Sequence, residues 1–480
     1  METINEIISY SSQILRGHMN FEEYQNDLLA AIFYKYLSYK IEKENNKKLF
    51  KYDINFREAF DDENIEFYGK KIKEESINEL GFFIEEKNLY SNLINQNDCL
   101  QLLNDAIHNI EFKDKSLYDL FDNTDFQEIK SFKETENLFN DVLVKIDSLT
   151  FKNEKSDEFN DLMKFFMKKS YTPNEISDLL AGLLFVKDKK LVNVYDAACG
   201  SCSSLLRLKN HSTVINFYGQ EFNRLNYNMA RMNMIMHDVL PDNFFIFNED
   251  STTAKRKLPL MDAIISHPPF LKKWNACEEL LDDERFNSYK KLPPKSKADY
   301  AFIETMIYHL DDDGIMAVAL PQGVLFRTNA EKEIRKNFII NNYIDAVIGL
   351  PEKTFPKNIP TCIIIFRKNR SENDEIMFID ASNSYKKGNT LNVLRDSDIT
   401  RIIDAYNNRT EIEKYSYLGS IDEVKSNDFN LNIKLYVDTY VEKDRIDIQK
   451  SLKEIDSLEV NINSLKNKQK DLIKQIYDSV

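Results

Sequence analysis

Two short segments of the sequence carry residues suited to binding a nucleoside. Asp196 ends the β-type run LVNVYD, and the small residues that follow it, as far as Gly200, allow a helix to begin close to a ligand. Glu221 ends the next β-type run, and a carboxylate about 25 residues further along can accept hydrogen bonds from both hydroxyls of a ribose. The first turn has a single glycine, so it is a poor match to the dinucleotide pattern G-x-G-x-x-G.

A second candidate is the segment SHPPF, which ends the β-type run DAII. Two consecutive prolines hold the backbone extended and rigid, so His267 and Phe270 on either side of them would point at fixed positions. Phe270 could stack on a base that has been taken out of a duplex. On this segment alone, an ordinary turn with Phe270 in the core is the favoured interpretation.

Two further clusters are less specific. Cys199 and Cys202 form a lone C-x-x-C, which without a second pair or a nearby histidine is weak evidence for zinc or redox chemistry. A basic loop could touch backbone phosphates or could simply be solvated, and the sequence leaves both interpretations open; its lysines are Lys290, Lys291, Lys295 and Lys297.

The elements that must position these residues follow from the hydrophobic pattern. Residues 1–155 read as successive amphipathic helices. Residues 156–437 contain short β-type runs that alternate with helical segments, which predicts an α/β domain with a mostly parallel, Rossmann-like sheet. Apolar residues in 438–480 step by three and four, as in a coiled-coil helix that needs a partner. Ligands bind at the carboxyl ends of such strands, where the candidate residues fall.

Composition excludes several classes of protein. Hydrophobic residues make up 42% and charged residues 30%, which is a globular balance. The chain has no apolar run of membrane-spanning length and no secretory signal, and five cysteines in 480 residues indicate a reduced, cytoplasmic protein. The net charge of −15 argues against a chain that coats nucleic acid unaided, but not against DNA presented by a basic partner.

These residues occur in one known order. The chain resembles the modification subunit of type I restriction–modification systems, which methylates adenine at N6 with S-adenosylmethionine. The matching blocks cover essentially the whole length and include AIFYKYLS, SYTP, YDAACGS, YGQE, NYNMARMNMIMHDV, HPPF, KSKADYAFI, IPTCI and NLNIKLYVDT.

The resemblance implies a set of site residues. Asp196, Gly200 and Ser201 would hold the methionine and ribose side of the cofactor, Glu221 its ribose and Asp250 its adenine edge. Phe270 would stack on the flipped target adenine. The full cofactor set implied is Ser170, Tyr171, Thr172, Pro173, Asp196, Gly200, Ser201, Cys202, Ser203, Glu221 and Asp250, and the catalytic set is His267, Pro268, Pro269 and Phe270. The Pro268 carbonyl would accept one hydrogen of the adenine amino group, and no metal is implied.

The resemblance also implies partners. The substrate would be DNA, and the C-terminal helix would dock onto a specificity subunit that reads the DNA sequence. A motor-nuclease subunit would complete a restriction complex, and the modification subunit would be present in two copies.

The sequence departs from the family in the cofactor and catalytic loops. His267 stands where the family has asparagine, Cys202 where it has a second glycine, and Ala197 where it has proline. A neutral imidazole can accept a hydrogen bond but an imidazolium cannot, so activity would fall as the pH drops through the ordinary histidine pKa. Cys202 would crowd the cofactor or strain the turn. The first interpretation is an active adenine-N6 DNA methyltransferase. The alternatives are an inactive structural subunit of the same complex and a related transferase acting on RNA or on a protein glutamine.

Overall fold

The computed structural model describes residues 3–480 apart from a few short segments. Those left undescribed after residue 3 are 62–63, 114, 123, 131–132, 152–156, 168–170, 186–189, 372–373, 440–447 and 478–480. The chain divides into two compact units, Met1–Val437 and Asp438–Val480. Among the described helices, none combines the length and apolar character needed to cross a membrane.

The first part of the larger unit is helical, as the sequence predicts. Its helices are Ile4–Ile14 (α1), Phe21–Leu49 (α2), Lys70–Leu80 (α3), Tyr90–Leu93 (α4), Cys99–His108 (α5), Gln127–Lys130 (α6) and Lys133–Asp147 (α7). The 29-residue α2 begins at a capping box, in which the Asn20 backbone N–H donates to Glu23. A two-stranded pair, Phe82–Phe83 with Glu111–Phe112, was not foreseen from the sequence.

Nine strands form the central sheet, and we number them in chain order. They are Leu191–Asp196 (β1), Val214–Gln220 (β2), Phe244–Phe247 (β3), Met261–Ser266 (β4), Leu310–Pro321 (β5), Ile344–Gly349 (β6), Thr361–Arg367 (β7), Ile376–Asp380 (β8) and Ser416–Gly419 (β9). Strands Lys386–Lys387 and Asn392–Val393 pair separately. The remaining helices of this unit are Asp157–Met167 (α8), Asn174–Leu183 (α9), Ser203–Arg207 (α10), Arg224–Met236 (α11), Asp299–His309 (α12), Ala330–Ile340 (α13), Asp396–Asn407 (α14) and Ile421–Ser426 (α15).

The spatial order of the sheet is β9-β8-β6-β7-β5-β4-β1-β2-β3. Strands β1 to β5 are parallel to one another, whereas β7 runs antiparallel between β5 and β6, and β9 runs antiparallel to β8. The chain order reverses between β1 and β4, so the carboxyl ends of these two strands flank a crevice of the kind that binds ligands in doubly wound sheets.

Alternate residues of the inner strands enter two separate cores. Val194 of β1 lies in the core that includes the N-terminal helices, while the next residue, Tyr195, lies in the core around α12 and α13. Strands covered by helices on both faces are expected to be continuously apolar. Strand β6 departs from that rule at one position: all six of its residues are buried, but one of them is Asp345, whose Oδ1 lies 3.0 Å from the Arg370 guanidinium.

The smaller unit contains one helix, Ile448–Tyr477 (α16). Apolar side chains step along it every three or four residues, and those that the structure describes are exposed, with Leu458 59% and Leu465 64% accessible to solvent. The heptad pattern expected from the sequence is therefore present on a helix, although the side chains of Ile448 and Ile476 lie outside the described residues.

Candidate active site

A cavity of about 320 Å³ lies at the carboxyl ends of four neighbouring strands. Asp196 is the last residue of β1, and Glu221, Asp250 and His267 lie after β2, β3 and β4. All four side chains line this cavity. The parallel arrangement of β1 to β4 therefore brings together residues that are up to 71 positions apart in the chain.

Asp196 is a buried carboxyl group with two local donors. Its Oδ1 accepts hydrogen bonds from the Ser266 hydroxyl at 2.6 Å and from the Ala198 backbone N–H at 2.9 Å. Both bonds favour the ionised form, but burial outweighs them and raises the pKa of Asp196 to about 7, with the nearby charge of Glu221 acting in the same direction. A positively charged ligand in the cavity would favour the ionised form.

Glu221 connects the first turn to the end of β2. Its two carboxylate oxygens accept hydrogen bonds from the backbone N–H groups of Gly200, at 3.1 Å, and Asn223, at 2.7 Å. Burial nevertheless raises the pKa of Glu221. A carboxylate has more acceptor positions than these two bonds use, so Glu221 can still accept hydrogen bonds from a ligand in the cavity.

Asp250 lies on the opposite side of Glu221 from Asp196 in the strand order. Its Oδ1 accepts from the hydroxyl and backbone N–H of Thr252, and its Oδ2 accepts from the Lys272 ammonium group at 3.2 Å. The same ammonium group lies 4.8 Å from the centre of the Phe222 ring. Asp250 is thus held in place by local bonds beside an aromatic face.

The turn between β1 and α10 contains two residues in the left-handed region. Gly200 has a φ of +53°, and a Cβ atom there would lie 2.9 Å from the Met167 methyl carbon, so any side chain would have to displace that methionine. Cys202 also has a positive φ, 61°, but its side chain is buried and does not line the cavity. Of the two effects expected of Cys202, the structure has the strained turn and not the crowded cavity.

His267 lies between the Pro-Pro turn and the segment before α9. Its Nδ1 is 2.8 Å from the Thr172 hydroxyl oxygen, a hydrogen-bond distance. Burial lowers the pKa of His267 to about 3, and the positive charge of Lys357 acts in the same direction. The imidazole is therefore neutral at physiological pH, and protonation would remove its acceptor only well below the ordinary histidine pKa.

Two aromatic rings enclose His267. The centre of its ring lies 4.8 Å from that of Phe270 and 4.5 Å from that of Phe355, and the two phenyl rings are 5.6 Å apart. Phe270 is buried but lines the cavity, so the two interpretations of this residue, core or ligand contact, are compatible. This end of the cavity is aromatic, whereas the rest of the lining has four carboxyl groups, those of Asp196, Glu221, Glu249 and Asp250.

Most of the residues singled out from the sequence meet at this cavity. Those that line it are Tyr171, Thr172, Asp196, Gly200, Ser201, Ser203, Glu221, Asp250, His267, Pro269 and Phe270. Pro173 lies at the N-terminus of α9, and Pro268 and Cys202 are buried, but these three do not line the cavity. Ser170 lies outside the described residues.

Sequence reasoning missed several residues of the cavity. Phe355 and Lys357 belong to the connection between β6 and β7, and Lys272 follows the Pro-Pro turn. The aromatic residue directly before a proline in TFPKNIP was the available signal for Phe355, but nothing in the local pattern assigns that segment to a cavity nearly 90 residues after His267.

The basic loop lies against the segment that follows the Pro-Pro turn. The Trp274 backbone N–H donates to the Lys295 carbonyl at 3.1 Å, and the Ala298 N–H donates to the Lys272 carbonyl at 2.8 Å. Lys290, Lys291 and Lys295 are exposed. Backbone hydrogen bonds therefore hold the loop against the segment that contains Lys272, and Lys272 lines the cavity.

The sheet and its strand-end cavity define an α/β transferase with the Rossmann-like fold of S-adenosylmethionine-dependent methyltransferases. A model of the N-6 DNA methylase family matches residues 158–445, and a model of the HsdM N-terminal domain matches residues 5–146. The chain belongs to the N-6 DNA methylase family, as a methylase subunit of the type I restriction enzyme kind. It is an adenine-specific DNA methyltransferase subunit by family, as the resemblance implied, and nothing in the comparisons favours the inactive alternative.

Similar proteins match this chain over most or part of its length. The methylase subunit of the type I restriction enzyme MpnII from Mycoplasma pneumoniae is 30% identical over 96% of this chain and 94% of that protein. The MjaVII methylase subunit of Methanocaldococcus jannaschii is 34% identical, over 60% of this chain and about half, 52%, of that protein. The crystal structure of a type I methyltransferase subunit from Streptococcus thermophilus aligns with a TM-score of 0.82 at 33% identity, covering 91% of this chain and 100% of that one.

Proposed function

We propose that the strand-end cavity binds S-adenosylmethionine at its carboxylate end and a DNA adenine at its aromatic end, and that a methyl group passes to adenine N6 between them. The observation that carries the proposal is that one cavity is lined by Asp196, Glu221 and Asp250 and also by His267 and Phe270. Its volume of about 320 Å³ is within the range of small-molecule sites.

The residues present fit this cofactor. S-adenosylmethionine carries an ammonium and a sulfonium charge together with two ribose hydroxyls, and four carboxyl groups line the cavity. Gly200 leaves space beside Met167 that a Cβ atom would fill. Asp196, Gly200, Ser201 and Ser203 would hold the methionine and ribose side, and Glu221 the ribose hydroxyls.

The adenine edge of the cofactor would lie between Asp250 and Phe222. The segment of Tyr171, Thr172 and Pro173 would cover it from the side of α9. When bound, the cofactor supplies a methyl group that is electrophilic because it is attached to a sulfonium.

The chain's own residues would position the target base. Phe270 would stack on the flipped adenine, and His267 would accept one hydrogen of its amino group. The Pro268 carbonyl would accept the other: Pro268 is buried and does not itself line the cavity, but it lies between His267 and Pro269, which do. Two acceptors favour a pyramidal amino nitrogen, which directs its lone pair at the methyl carbon. A neutral imidazole with a pKa of about 3 is a poor base, so the proton released from the methylated nitrogen would leave to water.

DNA would approach over the basic loop. This loop exposes Lys290, Lys291 and Lys295. Its backbone is hydrogen-bonded to residues 272–274, which follow the Pro-Pro turn. In a chain with a net charge of −15, such a local concentration of lysines would neutralise phosphates beside the target base.

The C-terminal helix would bind a specificity subunit. An exposed stripe of apolar side chains on α16 costs free energy unless a partner covers it. Leu458→Ser with Leu465→Ser should abolish co-purification with the specificity subunit, and Lys466→Ser with Lys468→Ser on the same helix is the matched control. Full co-purification of the leucine variant would contradict this role. A motor-nuclease subunit and a second copy of this chain would complete the complex.

The proposed function is tested with the complex reconstituted with its specificity subunit. We expect tritiated methyl groups to enter DNA as N6-methyladenine. Phe270→Leu should slow transfer about tenfold or more through weaker base stacking, without weakening cofactor binding. Phe185→Leu, an exposed aromatic residue just after α9, is the control. A complex that binds cofactor and DNA but forms no N6-methyladenine would overturn the proposal.

A further inference from the structure

A hydrogen bond joins the two ends of the cavity. Thr172 lies in the segment before α9, which would cover the cofactor, and His267 lies in the turn that would hold the target base. The Thr172 hydroxyl oxygen and His267 Nδ1 are 2.8 Å apart, although 95 residues separate them in the chain. Both side chains line the cavity.

A neutral imidazole has one N–H and one lone pair, so the partner of Nδ1 decides what Nε2 can do. If the Thr172 hydroxyl donates to Nδ1, then Nε2 carries the hydrogen and is a donor. If Nδ1–H donates to the Thr172 oxygen, then Nε2 has a lone pair and is an acceptor. The amino group of adenine offers hydrogens, so the imidazole can accept one of them only in the second arrangement.

We infer that Thr172 is a positioning residue that accepts a hydrogen bond from His267 Nδ1–H and so keeps Nε2 as the acceptor for the adenine amino group. This inference rests on the proposed function. The rings of Phe270 and Phe355, at 4.8 Å and 4.5 Å, restrict the position of the imidazole, and the Thr172 oxygen lies at hydrogen-bond distance from Nδ1, where it can accept that hydrogen and leave the lone pair on Nε2. Histidine needs such a partner because it has two tautomers, whereas an amide oxygen is always an acceptor.

The tautomer can be read without any activity. We would label the histidine ring nitrogens with ¹⁵N and assign the His267 signals by their disappearance in His267→Asn, since the chain has only six histidines. We expect Nδ1 to be protonated in the wild type and in Thr172→Ser. In Thr172→Val the acceptor is removed, and the hydrogen should move to Nε2. A wild-type His267 protonated at Nε2, or an unchanged tautomer in Thr172→Val, would overturn the inference whether or not the complex transfers methyl groups.

A kinetic experiment separates positioning from a general structural role. Thr172→Val should lower the single-turnover rate of methyl transfer about tenfold, and Thr172→Ser should restore it. In the His267→Asn background the valine substitution should cost less than about twofold, because the tautomer no longer exists to be selected. An equal loss in both backgrounds would mean that Thr172 acts only on the structure of the loop. Absence of transfer in the wild type, with the expected tautomer present, would instead count against the proposed function.

Discussion

The two ends of the cavity differ in their chemistry. The carboxylate end has four carboxyl groups, Asp196, Glu221, Glu249 and Asp250, each hydrogen-bonded to nearby backbone or side-chain donors, and burial raises the pKa of Asp196 and Glu221. The aromatic end has two phenyl rings around one imidazole, and a hydrogen bond links that imidazole and the Thr172 hydroxyl. The first end would recognise a charged ligand, and the second a flat one.

This difference predicts which property a substitution at each end should change. At the carboxylate end the sequence departs from the family at Cys202, which is buried with a positive φ, and at Ala197. The carboxyl groups at this end are all present. At the aromatic end the departure is His267 itself. Changes at the aromatic end should therefore alter the transfer step, and changes at the carboxylate end should alter affinity and stability.

The largest effect is expected from His267→Phe. Phenylalanine keeps an aromatic ring beside Phe270 but has no acceptor, and removing one hydrogen-bonding group of this kind typically slows the chemical step by roughly 10²–10³-fold. His267→Asn keeps an acceptor and should remain within about tenfold of the wild type. Single-turnover methyl transfer by the reconstituted complex measures both. A phenylalanine variant as fast as the asparagine variant would exclude His267 as the acceptor for the target base.

The pH dependence follows from the same residue. With a pKa of about 3, His267 stays neutral over roughly pH 5.5–8.5, so its acceptor should persist throughout that range. The ratio of wild-type to His267→Asn transfer rates should therefore be constant with pH. A ratio that falls towards pH 5.5 would mean that the imidazole becomes protonated there.

At the carboxylate end, Asp196→Asn should change how the stability of the folded protein depends on pH. Folded Asp196 holds its proton to about pH 7, whereas the unfolded chain releases it near the ordinary value of 3.8. The folded state therefore binds more protons in this window, and its stability falls as the pH rises through it, by on the order of 2–4 kcal/mol. The asparagine variant does not undergo this decrease. Its melting temperature should exceed that of the wild type at pH 8 more than at pH 5, and a pH-independent difference would contradict the burial argument.

Glu221→Ala tests whether the carboxylate end acts through affinity alone. Leaving ribose hydroxyls without their acceptor should weaken cofactor binding by ~1–3 kcal/mol. Calorimetry measures the dissociation constant, and the transfer rate at saturating cofactor should change much less than in His267→Phe. An unchanged dissociation constant would exclude Glu221 from the cofactor site, and an equal reduction in affinity and rate would erase the distinction between the two ends.

The smallest effect is expected outside the cavity. Replacing Lys290, Lys291 and Lys295 by glutamine should reduce the slope of log affinity for DNA against log salt by about 0.9 for each phosphate that the loop no longer neutralises. Lys386→Gln with Lys387→Gln, on a separate exposed strand, is the control. Equal slopes for both sets would indicate that the loop is only solvated.

Much of the fold could be predicted because its signals are local. The run LVNVYD coincides with β1, and the helices α3, α4, α5 and α7 lie within residues 1–155, where spaced apolar residues predicted successive helices. The antiparallel direction of β7 and β9 was not foreseen. A buried strand is apolar whichever way it runs, so hydrophobicity does not report strand direction.

The carboxylate end of the cavity was more predictable than the aromatic end. Asp196 ends β1, Glu221 directly follows β2 and Asp250 lies three residues after β3, and parallel strands bring such positions to one edge. Phe355 and the Thr172–His267 hydrogen bond join segments distant in the chain, and no local pattern encodes a contact of that kind. The pKa of His267 was likewise unpredictable, since it depends on burial by those same segments.

The reversed strand β7 has a consequence for how this site can be modified. Because β6 and β7 are antiparallel neighbours, the connection at residues 350–360 turns back at the same sheet edge as the cavity and brings Phe355 to it. A connection between adjacent strands can change in length and sequence without disturbing either strand. Leu350, Pro351, Thr354 and Phe355 of this connection are buried, whereas Lys357 is exposed and lines the cavity. Substitutions at such exposed positions should therefore change the cavity wall while the carboxyl groups on the other strands keep their places.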